Sequence, residues 1–208
     1  MTIDSQNLLN SILESLERID YIRPEDVPGI DLYMDQVTTF MDSQLAASRR
    51  YEDDKILTKT MINNYAKNNL LPPPEKKKYS KEHMLLLIFI YYFKNILSIN
   101  DIQSLLAPLS EKYFHTDHSL QLERIYTEVF SLEKEQIEVM KKDIIREYQV
   151  SSETFTDTSE EDKPFLQLFS FICMLSFDVY VKKQVIEKLI DQFPKPEKNG
   201  KRKEKHTE

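Results

Sequence analysis

The side chains best suited to chemistry lie on one short helical pattern that begins after Thr58. The spacing of Met61, Ile62 and Tyr65 predicts an apolar inward face, which leaves the opposite face polar. An Asn amide can form two hydrogen bonds with the edge of an adenine, and a Lys ammonium can reach a guanine or a phosphate. The pattern therefore predicts a helix that contacts nucleic acid bases. The side chains on its polar face are Lys59, Thr60, Asn63, Asn64 and Lys67.

A basic turn follows this helix. Between residues 55 and 81 the chain has seven lysines and one acidic residue, so this stretch carries a charge of +6 in a chain of net charge −7, which leaves −13 for the rest. A basic patch on an acidic body directs one face toward phosphate. The alternative is that these lysines form an ordinary solvated surface. The residues expected to hold a phosphate backbone are Lys76, Lys77, Lys78 and Tyr79.

Local signals predict where the polar helix begins and ends. Leu57 and Ile62 have the spacing of a hydrophobic staple around Thr58, the candidate N-cap. Asn68 and Asn69 are suited to end the helix, because Asn tolerates the left-handed backbone conformation. An Asn-rich end is also simply a good terminator, so these two residues need no further role.

Three prolines at 72 to 74 prevent the helix from continuing. Ser80 is the candidate N-cap of the next helix, and Ser98 with Asp101 has the pattern of a capping box for a third. Between them, residues 84 to 93 form an unbroken apolar run that is too short to span a bilayer. A helix that is apolar all round is buried. We therefore expect this helix to be the core pillar that supports the polar one.

Four motifs carry a resemblance: Asn64-Tyr65, Asn69-Leu70-Leu71-Pro72-Pro73, Lys77-x-Tyr79-Ser80 and Ser98-Ile99-x-x-Ile102-x-x-Leu105-Leu106. In this order and spacing they resemble the MerR-type winged helix-turn-helix. Over its whole length the chain also resembles a bacterial family described as domain of unknown function 1836, which includes YkrK-like regulators.

The resemblance implies that the tyrosine-bearing helix enters a DNA groove while the wing holds the backbone. Residues 31–45 would then form the first helix of the motif, and the connection over 46–56 is longer than the usual short turn. Asn63 lies where the family has an arginine, and Asn69 lies where it usually has a glycine. Lys77 replaces the usual wing arginine, and a lysine lacks the bidentate fork.

Composition excludes several classes of protein. With 208 residues the chain can bury a sizeable core, and two glycines make a hairpin-rich architecture unfavourable. One cysteine excludes an internal disulfide framework and a Cys-based zinc site. The first ten residues have neither a basic region nor an apolar core of a signal peptide, so we expect a cytoplasmic protein.

Helical periodicity covers much of the remaining chain, and predicts helices over residues 5–20, 119–148 and 165–193. Residues 151–161 are polar and acidic, which is typical of a linker. The charged tail, 194–208, is expected to be disordered.

The first half of the last helix is the most apolar stretch of the chain. Gln167 and Asp178 interrupt it, and an Asp at membrane depth is costly, so we expect no membrane insertion. We expect either a buried helix or one half of a dimer interface.

Catalytic and metal-binding motifs find little support. His115 and His118 form an H-x-x-H pair, but no Cys or third His lies nearby, so no metal site is predicted. A glycine-rich phosphate loop, a nucleophile elbow and an HExxH motif are all missing from the sequence. We predict neither enzymatic activity nor a cofactor.

Together these patterns predict an all-α protein with at most a small two-stranded wing around 72–79. The expected organisation is an N-terminal helix and turn (1–30), a MerR-like helix-turn-helix domain (31–108), a C-terminal helical dimerisation domain (109–193) and the tail (194–208). The predicted function is sequence-specific binding of double-stranded DNA by a homodimeric transcriptional regulator, expected to be a repressor. The alternative is a non-catalytic α-helical interaction module. Small-molecule sensing by the apolar C-terminal half is a third possibility that is compatible with the first.

Overall fold

The computed structural model describes residues 5–17, 21–116 and 120–194. Over these ranges the chain is mostly helical, in agreement with the predicted all-α class. The helices are α1 (Ser5–Glu17), α2 (Met34–Gln44), α3 (Lys59–Lys67), α4 (Lys81–Phe93), α5 (Ile99–Tyr113), α6 (Leu122–Phe130), α7 (Glu133–Ser152) and α8 (Lys163–Ile190). Two short strands, β1 (Leu32–Tyr33) and β2 (Lys78–Tyr79), pair antiparallel. The predicted charged tail beyond residue 194 lies outside the described residues.

The predicted N-caps are confirmed. The Thr58 hydroxyl accepts a hydrogen bond from the Met61 N–H at 3.2 Å. The Ser98 hydroxyl accepts from the Asp101 N–H at 3.2 Å, and the Asp101 carboxylate accepts from the Ser98 N–H at 3.3 Å. These bonds satisfy N–H groups that the first turn of a helix leaves without partners, so short local patterns determine where α3 and α5 begin.

The end of α3 is also local. Asn69 has a φ of 55°, the left-handed conformation predicted for it. The Leu70 N–H donates to the Tyr65 carbonyl at 2.9 Å, and the Asn69 N–H donates to the Ala66 carbonyl at 3.2 Å. This pair of bonds is a Schellman motif, which turns the chain away from the helix axis.

Helix α4 is the buried pillar of the fold, as predicted. Every side chain from Met84 to Tyr91 is buried. Helix α6 packs on it, with the rings of Phe89 and Tyr126 5.4 Å apart between centroids. The Tyr126 hydroxyl donates to the Ile22 carbonyl at 2.6 Å. The segment before α2 and helix α6 therefore belong to the same hydrophobic core.

The second helix begins at Met34 and not at the predicted Asp31. Leu32 and Tyr33 instead form β1, because their backbone groups pair with those of β2. The single small sheet was predicted within residues 72–79, but only one of its strands lies there. The other comes from the segment before α2, which the sequence pattern did not distinguish from the helix.

The connection between α2 and α3 is long, as predicted. A 3₁₀ turn at Ala46–Ser48 is followed by irregular chain as far as Thr58. Helices α2 and α3 nevertheless pack against each other.

The helix predicted over residues 119–148 is two helices in the described part of this range. The helix is interrupted at Ser131 and Leu132, between α6 and α7. Helix α6 packs on α4, whereas α7 packs on α8 and α1, so the break lets one apolar pattern serve two different partners. Helix α7 also extends to Ser152, which shortens the predicted linker.

The last helix was expected to be either buried or one half of a dimer interface, and burial within the single chain is wrong. Phe165 and Phe177 in α8 are 64% and 67% exposed. Only Phe171 and Ile190 of this helix are buried. Among the described residues, α8 is the helix that is long and apolar enough to cross a membrane on length and composition alone.

Candidate nucleic-acid interface

Helix α3 presents the predicted polar face. Ile62 and Tyr65 are buried, at 0% and 6% exposure, and α3 packs against α2. The Asn63 side chain has no hydrogen-bond partner in the part of the chain that the structure describes. The apolar face thus holds the helix in place and leaves the polar groups free to meet a ligand. All five candidate base-contacting residues are exposed: Lys59, Thr60, Asn63, Asn64 and Lys67.

The basic turn is a tight reversal between Glu75 and Lys78. Lys76 and Lys77 have φ values of 47° and 67°, and the Lys78 N–H donates to the Glu75 carbonyl at 2.8 Å. Two successive positive φ values with this closing bond are typical of a type I′ turn, which usually contains Asn or Gly. Both lysines are exposed, while the Lys78 ammonium lies 5.3 Å from the centre of the Tyr33 ring.

Ion pairs divide the lysine run into two groups. Lys59 pairs with Asp35 on α2, and Lys81 pairs with Glu123 on α6 at 3.0 Å. Each of these lysines has its charge partly neutralised by a carboxylate of the same chain. Within the described residues, the lysines of the predicted interface that have no ion pair and no ring beneath them are Lys67, Lys76 and Lys77.

Tyr79 differs from the other predicted site residues, because its side chain is 2% exposed. Burial raises the pKa of its phenol, as it does for Tyr65. The Tyr79 ring meets the His83 ring edge-on, with 5.5 Å between centroids. Tyr79 therefore belongs to the core beneath the turn, and its hydroxyl is not on the surface that carries Lys76 and Lys77.

His83 was not among the predicted site residues, yet it joins the turn to α4. Its side chain is 1% exposed, and its Nδ1 accepts the backbone N–H of Ser80 at 3.0 Å. Its Nε2 lies 3.4 Å from the Pro73 carbonyl. Burial lowers its pKa, so the neutral ring is favoured. The signal in the sequence was that His83 lies three positions after the Ser80 cap. A capping box usually has Glu or Gln at that position.

His115, two residues beyond the end of α5, closes the same region. Its Nε2 lies 2.9 Å from the Ser80 hydroxyl and 3.1 Å from the Glu82 carboxylate. Its backbone N–H donates to Glu82 at 2.8 Å. His118, the second residue of the H-x-x-H pair, lies outside the described residues. Those that are described contain no group of three or more side chains placed to hold a metal ion.

Comparison with known protein families gives a match over residues 22–129, more than half of the chain, to the domain of unknown function DUF1836. The chain belongs to this family. No curated protein and no solved structure matches it. The DUF1836 range includes β1, α2 to α5, nearly all of α6 and the basic turn, so every candidate interface residue falls inside it. Helices α7 and α8 lie beyond it.

Proposed function

We propose that this DUF1836 protein is a sequence-specific DNA-binding transcriptional regulator with a MerR-like winged helix-turn-helix. The observation that carries the proposal is the polar face of α3, which is exposed over its whole length while α2 supports its apolar face. An α-helix fits the major groove of DNA, and amide and ammonium groups match the edges of its bases.

The proposed contacts divide into two kinds. Asn63, Asn64 and Thr60 face base edges and specify the sequence, with Lys67 reaching a guanine or a phosphate. Lys76 and Lys77 at the tip of the basic turn bind the phosphate backbone. Lys59 joins them only by leaving Asp35, and Lys78 by leaving the Tyr33 ring. Tyr79 acts from the interior, where it holds β2 against the core.

The overall negative charge is compatible with this role because the charges are segregated. The stretch from 55 to 81 has a charge of +6, and the remainder of the chain has −13. An acidic body repels DNA from its other faces and so orients the basic one. The orientation weakens as salt screens it, which makes salt dependence a direct test.

We further propose that the protein works as a homodimer through α8. Phe165, Phe169, Ile172, Ser176 and Val179 are exposed and follow one another at spacings of four, three, four and three residues. This 3.5-residue repeat is typical of a helix that packs along a second helix. Phe177 and Tyr180 extend the exposed apolar surface beside this stripe, and α8 has α7 against its other side. A two-fold dimer also fits a palindromic DNA site.

The test begins with fragments selected by the wild-type protein from random or genomic DNA. We expect Asn63→Ala to weaken binding to the preferred site by about 1–3 kcal/mol and to leave nonspecific binding nearly unchanged. The double variant Lys76→Gly, Lys77→Gly should weaken binding to every sequence. Its slope of log K against log salt should fall by up to about 1.8, or about 0.9 for each contact removed. Glycine adopts a positive φ without strain, so this variant removes charge without threatening the fold.

The matched control is Lys142→Ala with Lys188→Ala, which removes two exposed lysines from α7 and α8. It should leave the salt slope unchanged. If the wild-type protein shows no salt-dependent binding to any genomic fragment, the DNA proposal fails. A non-catalytic helical interaction module, with the exposed face of α8 as its partner surface, is then the better interpretation.

A further inference from the structure

A polar cavity of about 220 Å³ lies at the carboxyl end of α4, away from the outward face of α3. One wall is the connection between α2 and α3, and the other is the last turn of α4. Among the residues that line it are Ser48, Arg49, Asp54, Lys55, Tyr91 and Lys94.

Positive charges outnumber negative ones around this cavity. Arg49, Lys55 and Lys94 supply three cations. The Arg49 Nη2 pairs with the Asp42 carboxylate at 3.1 Å. Asp54 also lines the cavity, and one of its oxygens accepts two backbone N–H groups of the connection at 3.1 and 3.0 Å. Two carboxylates thus face three cations, which leaves one positive charge in excess.

Lys94 is a half-buried cation of this cavity without an anionic partner among the described residues. Its ammonium donates to the Ile56 carbonyl and lies 4.8 Å from the centre of the Tyr91 ring. It forms no ion pair with a carboxylate in the described ranges of the chain. Burial lowers its pKa, because the charged form loses solvation without gaining a counter-ion. An anion beside it would remove that cost.

A second cationic group is incompletely satisfied. The Arg49 Nε is buried and has no hydrogen-bond acceptor in the described part of the molecule. A buried donor without an acceptor is unfavourable, because it has lost its hydrogen bond to water and gained none in the protein. The wall near it is fixed in advance, since Tyr91 and Ser48 share a hydrogen bond and the Ser48 hydroxyl donates to the Leu45 carbonyl at 2.6 Å. Arg49 and Lys94 thus both line a cavity whose wall is fixed in advance.

We infer that this cavity binds a small oxyanion, a carboxylate or phosphate carried by a compact molecule. Lys94 and the Arg49 guanidinium are its principal ligands, and Lys55 adds charge at the exposed side. The carbonyl end of a helix favours cations, so the anion is held by side chains and not by the α4 dipole. The volume lies below the roughly 300–1,000 Å³ of pockets for drug-sized ligands, which limits the occupant to a compact molecule.

Occupancy would stiffen the connection that precedes α3. The cavity contacts Ser48 at the start of that connection and Ile56 near its end. A bound anion therefore joins both ends to α4. The inference depends on the cavity alone and stands whether or not the protein binds DNA.

The experiment measures thermal unfolding of the full chain with inorganic phosphate, with succinate and with chloride at matched ionic strength. A ligand that binds the folded state raises Tm in a saturable way. We expect such a rise with phosphate, succinate or both, and the two arms identify which oxyanion is preferred. Amide hydrogen exchange over residues 50–57 should slow by severalfold in the same conditions.

Lys94→Met keeps the aliphatic stem and should abolish the shift, and Lys55→Gln should weaken binding severalfold. The matched control, Lys142→Gln on α7, should retain the full shift. Because Lys94 also anchors Ile56, a poorly folded Lys94→Met is replaced by Arg49→Gln as the decisive variant. The inference is overturned if neither oxyanion exceeds chloride, or if Lys94→Met or Arg49→Gln binds as wild type does. Lys94 is then only an anchor for the connection.

Discussion

Helix α4 is covered on its sides by α5, α6 and β2, whereas α8 has α7 along one side and α5 near its end. Both helices contain long apolar stretches. In α4 the side chains from Met84 to Tyr91 are all buried, while in α8 Phe165 and Phe177 are more than three-fifths exposed. An apolar sequence thus indicates that a helix needs a partner. It does not indicate whether the partner lies within the same chain.

The contacts of Gln167 and Phe171 explain in part why α8 is covered on one side only. The Gln167 amide donates to the carbonyls of Ser152 and Thr154 at 2.6 and 3.0 Å, and Phe171 packs edge-on against Tyr148 at 5.5 Å. These contacts hold one face of α8 against α7 and against the turn that follows α7. They leave the face with the 3.5-residue repeat uncovered, which is the face assigned above to a second copy.

The largest expected effect comes from truncating matched leucines in the two helices. Leu86→Ala in α4 removes a side chain with 0% exposure and should lower the free energy of unfolding by about 2–5 kcal/mol. Leu189→Ala in α8, at 61% exposure, should change it by no more than about 0.5 kcal/mol. Urea titrations of both variants provide the measurement. Equal losses would mean that α8 is as enclosed as α4.

A charge on the repeat of α8 should separate the dimer without unfolding the protomer. Ile172→Asp places a carboxylate on the exposed stripe, and we expect the dimer Kd to rise at least tenfold, about 1.4 kcal/mol. The control is Val150→Asp, an exposed apolar position on α7. Sedimentation measures the dimer Kd of each variant, and circular dichroism shows whether the protomer remains folded. A wild-type protein that is monomeric at tens of micromolar, or that floats with lipid vesicles, contradicts the proposed dimer.

A smaller effect should distinguish the two helices by pH. Burial lowers the pKa of His83 at the start of α4, the nearby His115 adds to this, and the Pro73 carbonyl and Asp31 oppose it. As pH falls, the His83 ring is therefore protonated in the unfolded chain before it is protonated in the folded chain. The free energy of unfolding should fall as pH drops below about 6.5, by up to about 1.4 kcal/mol per pH unit. The fall ends at the pKa of the folded state.

Thermal unfolding between pH 7.5 and 5.5 measures this fall. In His83→Gln the amide oxygen can still accept the Ser80 N–H, so the pH dependence should be reduced while the cap remains. His115→Gln serves as the control for the neighbouring ring. Helix α8 contains no histidine, so the dimer should persist over the same range. A profile that is identical in wild type and His83→Gln would contradict the assignment.

Much of the candidate interface could be predicted from the sequence because its determinants are local. The Thr58 cap, the left-handed Asn69 and the outward face with Asn63 depend on neighbours within about one helical turn. The same holds for the burial of α4, whose apolar residues surround the helix and leave no polar face to be exposed. Residues close together in the sequence are thus sufficient to determine these features.

The tertiary structure alone decided features that join distant residues. β1 was interpreted as the start of α2, because a two-residue strand has no pattern until β2 pairs with it across more than forty residues. The neutralisation of Lys59 by Asp35 and of Lys81 by Glu123 could not be read from a count of charges. Tyr79 looked like a phosphate ligand, yet packing beside His83 placed it inside.

The sequence by itself determined where most of the helices form, because caps and periodicity act between residues close along the chain. The tertiary structure decided which helix faces are covered. It left α8 open along its stripe and brought Arg49 and Lys94 together around one cavity. Burial and charge pairing depend on the sum of contacts from remote segments, and that sum exists only once the chain has folded.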